Sequence, residues 1–202
     1  MEISVANRQR KAGISTRHVR LVARRVLENE SAWFDEISIN FLGASAVRSL
    51  NRRYTGRDDV TDVLAFEIAP DGARGSRQTS GCRGTPAGVP GARLGDVVVC
   101  VDRAAEQARD YGVGLNEELA RLTIHGLLHL CGLDDGTPAQ RARMSRREDF
   151  YLEVLEELVR CVVPARAGGR GSHCRGAGRS TDTTGARRHR GPSKPTGRKD
   201  RT

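Results

Sequence analysis

The chain has 202 residues, enough for one main domain, and a formal net charge of +9. That charge is confined: residues 165–202 hold eleven Lys+Arg against two Asp+Glu, which leaves 23 of each sign in residues 1–164. No run reaches the length of a membrane span, no apolar leader core opens the chain, and the five scattered cysteines form no C-x-x-C pair. A cytoplasmic, reduced protein is therefore expected, without a zinc ribbon or a disulfide framework.

In chain order, Glu2 to Ala6 alternates as a short strand. Ser15 or Thr16 can cap a helix to about Asn29, with Val19, Leu21, Val22, Val26 and Leu27 as its apolar members. Ile37–Leu42 reads as a strand and Ser45–Tyr54 as a helix ended by Gly56. Val63–Ile68 and Asp96–Val101 are two further strands, the second nearly all β-branched. Between them, residues 70–94 are rich in Gly, Arg, Ser and Pro and predict a long flexible loop. Helices follow over Arg103–Tyr111, Asn116–Cys131 and Pro138–Val162. The segment 165–202 has no aromatic and no aliphatic side chain larger than alanine, so a disordered basic tail is expected after a domain of residues 1–164. Strands and helices mix without strict βαβ alternation. The predicted fold is α+β, a small mixed sheet of about four strands packed by helices.

Residues 125–135 read His-Gly-Leu-Leu-His-Leu-Cys-Gly-Leu-Asp-Asp. His125 and His129 share one face of a helix, where positions four apart stand about 5–6 Å apart at Cβ. Two imidazoles so placed can converge on one ion, Gly132 can stop the helix, and Asp135 can fold back as a third ligand. Three protein ligands with an open position suit a catalytic metal at the end of a central helix. The plainer alternative is a pair of satisfied core histidines, since Leu119, Leu122, Leu127, Leu128 and Leu130 bury most of this helix. Asn116 is the expected N-cap, with Glu117 and Glu118 in the first turn. The H-E-x-x-H of metallopeptidases has its base where Gly126 stands here, which weakens a peptidase reading. The glycine and third ligand do match the longer metzincin spacing, and two histidines with one carboxylate also resemble the facial set of non-haem iron enzymes.

The segment His125–Gly132 resembles the H-G-x-L-H-L-x-G signature of the YbeY family, bacterial endoribonucleases that mature ribosomal RNA. Leu50-Asn51-Arg52-Arg53-Tyr54 is similar to that family's L-N-x-x-Y, and Thr61-Asp62-Val63-Leu64-Ala65-Phe66 to its T-D-V-L-S-F. Leu94-Gly95-Asp96-Val97 resembles its L-G-D-I, and order and spacing agree over roughly residues 35–160. The resemblance implies a single-strand endoribonuclease with one Zn2+ per chain, held by His125, His129 and the residue at 135. It also implies action at the 3′ end of small-subunit rRNA, with the small ribosomal subunit and assembly factors as partners.

Two departures stand out. The family's third ligand is a histidine, here Asp135, and its arginine after the tyrosine is Thr55. A carboxylate is an accepted zinc ligand, but its charge leaves the ion less positive and its water less acidified. Asp134 competes with Asp135 as third ligand; Asp135 holds the ligand's own offset. Arg53 and Arg57 are candidates to replace the missing arginine as phosphate contacts, and Thr61 and Asp62 either position substrate or cap a strand. Asp96 reads as a turn or strand-start residue, Trp33 as a packing anchor, and Glu148 and Asp149 as a solvated face. Arg141, Arg143, Arg146 and Arg147 read as surface, with a phosphate track as the sharper alternative. The tail is the expected non-specific RNA contact; its His173 and Cys174 are poor ligand candidates. The competing functions are an assembly factor that binds RNA with weakened or lost nuclease activity and, third, a metallopeptidase-like hydrolase.

Overall fold

The computed structural model describes residues 1–68, 77–78 and 93–164. The strands are β1 (Glu2–Asn7), β2 (Glu36–Leu42), β3 (Val63–Ile68), β4 (Arg77–Gln78) and β5 (Leu94–Cys100). The helices are α1 (Thr16–Asn29), α2 (Ala44–Thr55), α3 (Val101–Tyr111), α4 (Leu115–Leu130), α5 (Pro138–Val154) and α6 (Glu156–Arg160). The sheet order is β1-β2-β5-β3-β4. β1, β2 and β5 run parallel, while β3 runs antiparallel to β5 and to the two-residue β4. The mixed α+β sheet packed by helices is the predicted one.

Strand periodicity sorts the side chains into two cores. Ile37, Ile39, Phe41, Ala65, Val97 and Val99 face the larger one, shared with α1 and α4. Leu64, Phe66, Val98 and Cys100 face the smaller one, closed by Val47 of α2. The run of valines in β5 thus reflects a central strand buried on both faces. Burial also pushes the Cys100 thiol up, so it behaves as a small apolar residue.

Helix α4 is the centre of the larger core. Leu119, Ile124, Leu127, Leu128 and Leu130 are fully buried, each contributing about 1.5–3 kcal/mol on transfer from water. It lies close on the sheet because glycine permits it. A Cβ at Gly126 would stand 2.6 Å from Val97 Cγ1, and one at Gly95 would stand 2.8 Å from Leu130 Cδ1.

Several boundaries differ from those predicted. β5 starts at Leu94 and Val101 already belongs to α3. The N-cap of α4 is Gly114, and Asn116 lies inside the first turn. The single helix expected over Pro138–Val162 breaks at Leu155, and Val159 and Val162 join the core that holds Met144 and Tyr151. Leu21 is 39% exposed, on the outer face of α1. Trp33 is 64% exposed, and Phe34 beside it is the buried anchor. Within the expected loop, Arg77–Gln78 pairs with Phe66 and Glu67; the rest of that loop up to residue 92, and the tail 165–202, lie outside the described residues.

Arg93 fastens the start of β5. Its guanidinium donates to Glu67 Oε1 at 2.8 Å, to the Trp33 carbonyl at 3.1 Å and to the Leu130 carbonyl at 3.2 Å. It also lies 4.0 Å above the Phe34 ring. One side chain therefore ties β3, the α1–β2 connection and the C-terminal end of α4 together.

Candidate metal centre

His125 and His129 stand one turn apart at the end of α4, with ring centroids 4.5 Å apart and planes nearly perpendicular. Their Nε2 atoms are 3.0 Å from each other. Each Nδ1 is engaged elsewhere. His129 Nδ1 lies 2.9 Å from the Leu133 carbonyl, and His125 Nδ1 lies 2.8 Å from Glu148 Oε1. A carbonyl or carboxylate only accepts, so both Nδ1 atoms carry the hydrogen and both Nε2 lone pairs turn towards the shared space.

The turn after the helix supplies the rest. Gly132 takes φ +89°, Leu133 N–H donates to the Leu128 carbonyl and Gly132 N–H to that of His129. This is a Schellman ending, in which glycine takes the left-handed position without Cβ strain. The Leu133 carbonyl it fixes is the acceptor that orients His129. Asp134 Oδ1 then accepts the N–H of Asp135 at 2.8 Å and of Gly136 at 3.4 Å, making a local turn. Arg141 Nη1 grips the carbonyls of Asp135 and Gly136 at 3.0 and 3.1 Å. Thr137 starts α5 with a capping box closed by Gln140.

This arrangement brings one carboxylate oxygen of Asp135 and one nitrogen from each histidine within 4.8 Å of one another. Asp134 is occupied with the turn, so Asp135 fits the third position better. Two bare lone pairs cannot face each other at 3.0 Å unless a proton or a cation lies between them. Two nitrogens at about 2.0–2.1 Å from a tetrahedral ion stand about 3.3 Å apart, so the pair lies within a few tenths of an ångström of that bite. The donor set fits a divalent metal.

Burial first, and the charge of His125 second, hold His129 below the ordinary histidine value of 6.5. A ring kept neutral is a ring ready to ligate. For the metal-free protein, the neutral buried ring favours folding above pH 6.5, and that contribution is lost as pH falls from 6.5 through the lowered folded value. Urea unfolding without metal is therefore expected to give a lower midpoint at pH 5 than at pH 7. His129→Gln is expected to flatten that difference.

Glu148 corrects the sequence reading. It is 8% exposed, not solvated, and Asp149 beside it is the exposed one. Met144, Glu148, Tyr151 and Leu155 all face the core at helical spacing, a stripe in which the carboxylate went unnoticed. Arg121, one turn before His125, pairs with Glu148 at 3.5 Å and Asp149 at 3.0 Å. Arg121 was not singled out from sequence, since a lone arginine carries no spacing signal, and Arg141, read there as surface or part of a phosphate track, instead braces the turn that carries Asp135.

The other candidates make contacts of their own. Arg53 and Arg57 are exposed at the end of α2, whose core lies on the opposite sheet face from α4. Thr55 Oγ1 turns back 2.8 Å onto the Asn51 carbonyl. Asp62 accepts from Val63 N–H at 2.9 Å and from Gln107 Nε2 at 2.9 Å, as a strand-start cap does, and Thr61 Oγ1 stands 3.3 Å from it. Asp96 lies inside β5 and accepts from Ser38 Oγ and from Asn40 Nδ2. Arg147 is also engaged, with Glu30 and over the Tyr151 ring.

Fold and site together define an α+β protein whose candidate metal centre combines two histidines and one carboxylate. The family model for the endoribonuclease YbeY matches residues 4–156. The chain is 33% identical over 158 residues to the endoribonuclease YbeY of Geobacter metallireducens, covering 77% of this chain and 97% of that protein. To that of Alkaliphilus metalliredigens it is 31% identical over 159 residues, covering 77% and 96%. The solution structure of TM1509 from Thermotoga maritima shares the fold at 20% identity, with a TM-score of 0.50 over 83% of this chain and 99% of that one. This chain belongs to the endoribonuclease YbeY family.

Proposed function

We propose that the chain is a metal-dependent, single-strand-specific endoribonuclease. Its place is the cytoplasm, in maturation of the 3′ end of small-subunit rRNA and ribosome biogenesis, alongside the small subunit and its assembly factors. The observation that carries this is the convergence of His125, His129 and Asp135 with both Nδ1 atoms already occupied. One Zn2+ per chain is the proposed ion. When bound, it supplies a Lewis acid for a scissile phosphate and an acidified water.

The chain's own groups would do the remaining work. Glu148 and the Leu133 carbonyl hold the two imidazoles in orientation. Arg141 and Asp134 hold the backbone that carries Asp135. Arg53 and Arg57 are the proposed phosphate contacts, and Thr61 and Asp62 at the start of β3 the proposed substrate-positioning pair. The decisive experiment compares cleavage of a single-stranded rRNA fragment with that of its duplex, using metal-replete protein. Internal cuts in the single strand alone support the reading, and equal or absent cutting of both sinks it.

A second reading, an assembly factor with weakened nuclease chemistry, is favoured by Thr55, whose hydroxyl is spent on Asn51 and offers no cation. The peptidase reading has no base: the position after His125 faces Val97 and Val63, where even a Cβ is crowded. Asp135→His separates the first two. A neutral third imidazole leaves the ion more positive, so the variant is expected to hold Zn2+ more tightly and to cleave faster at neutral pH, read by competition with a chromophoric chelator and by initial rates. An assembly factor that has lost catalysis elsewhere would gain metal affinity and no cleavage.

A further inference from the structure

Glu148 comes from α5 yet points into the centre built by α4. Its Oε1 stands 2.8 Å from His125 Nδ1, and its Oε2 faces Arg121 Nη1 at 3.5 Å. The carboxylate is 8% exposed, so its bonds act with little competition from water. Arg121 is itself held by Asp149 at 3.0 Å and by Glu117 and Glu118 at 3.9 Å each. The buried charge on Glu148 is thus paired on both sides, which is what makes a buried carboxylate tolerable.

We propose that Glu148 is a positioning residue of the metal centre, fixing the His125 ring with Nε2 bare and aimed at His129, and that Arg121 fixes Glu148 in turn. The proposal rests on the metal reading above. It gives α5 a share in the site although α5 supplies none of the three ligands. A carboxylate behind a ligating imidazole fixes its tautomer and raises its basicity, and losing such a partner typically costs tenfold to hundredfold in metal affinity.

The test measures Zn2+ and Co2+ affinity of the full chain by chelator competition, together with the visible spectrum of the Co2+ form. Glu148→Gln keeps the size of the side chain and removes its charge. It is expected to weaken both ions by about tenfold to hundredfold and to shift the Co2+ bands. Glu148→Ala should weaken them further; if it fails to fold, the glutamine variant carries the test. Met144→Ala, from the same buried stripe, is the control for damage to α5. It should lower the thermal midpoint and leave affinity and spectrum unchanged.

Arg121→Gln should weaken binding less than Glu148→Gln, and the double variant no more than Glu148→Gln alone. Unchanged affinity and spectrum in Glu148→Gln, or an equal loss in Met144→Ala, would overturn the positioning role. Additive losses would overturn the link through Arg121. A wild type that binds neither ion removes the metal reading and this one together. Binding without RNA cleavage removes the nuclease reading and leaves this one standing.

Discussion

Replacing His125 by alanine is expected to abolish stoichiometric metal binding and RNA cleavage together. The side chain supplies one of only two nitrogens in the set, and the variant leaves His129 and Asp135 as an incomplete pair. The loss should exceed the tenfold to hundredfold that follows removal of an outer partner, because a ligand itself is gone. Stability gives a second measure that does not depend on RNA. With free Zn2+ a hundredfold above its Kd, binding adds about 2.7 kcal/mol to the folded wild type. The variant should gain none, so added Zn2+ should raise the thermal midpoint of the wild type only. A metal-induced rise of equal size in both proteins would show that the ion sits elsewhere.

The second large effect is steric. Gly126→Val is expected to destabilise the protein by about 1–3 kcal/mol, the usual cost of overpacking a filled core. For a chain of this length each kcal/mol moves the thermal midpoint by roughly 2–4 °C. Alanine is the informative intermediate. In a free helix Gly→Ala would gain about 1 kcal/mol of propensity. Here its Cβ would meet Val97 Cγ1 at 2.6 Å and Val63 Cγ2 at 3.1 Å. The two valines belong to adjacent strands of the sheet and cannot swing away as the tip of a long side chain can. The clash should win, and Gly126→Ala should also be destabilising. A stabilised alanine variant would mean that α4 can lift from the sheet at little cost.

The centre was legible where chemistry and geometry repeat locally. His125 and His129 at helical spacing, Gly132 and Asp135 at fixed offsets, and the valines of β5 all carry their meaning within a few residues. What could not be read was the partner brought from afar. Glu148 lies 23 residues beyond His125 and looks, among Arg146, Arg147 and Asp149, like one more charge on a charged helix. Only the packing of α5 onto α4 turns it inward. Arg93 is similar: it sits at the end of a Gly/Arg-rich segment, and its role depends on three elements meeting at one point. Trp33 failed for the opposite reason. Its size suggested an anchor, but Phe34 took the buried direction and the alternation left Trp33 outside.

The Schellman turn after α4 ends the helix and orients His129 through a single carbonyl, that of Leu133. Punctuation and ligand geometry are therefore one feature. The interval from His129 to Asp135 cannot gain or lose a residue without undoing both. Its length is therefore under a tighter constraint than its composition. A one-residue insertion there is expected to cost the group its geometry even with every one of its side chains kept.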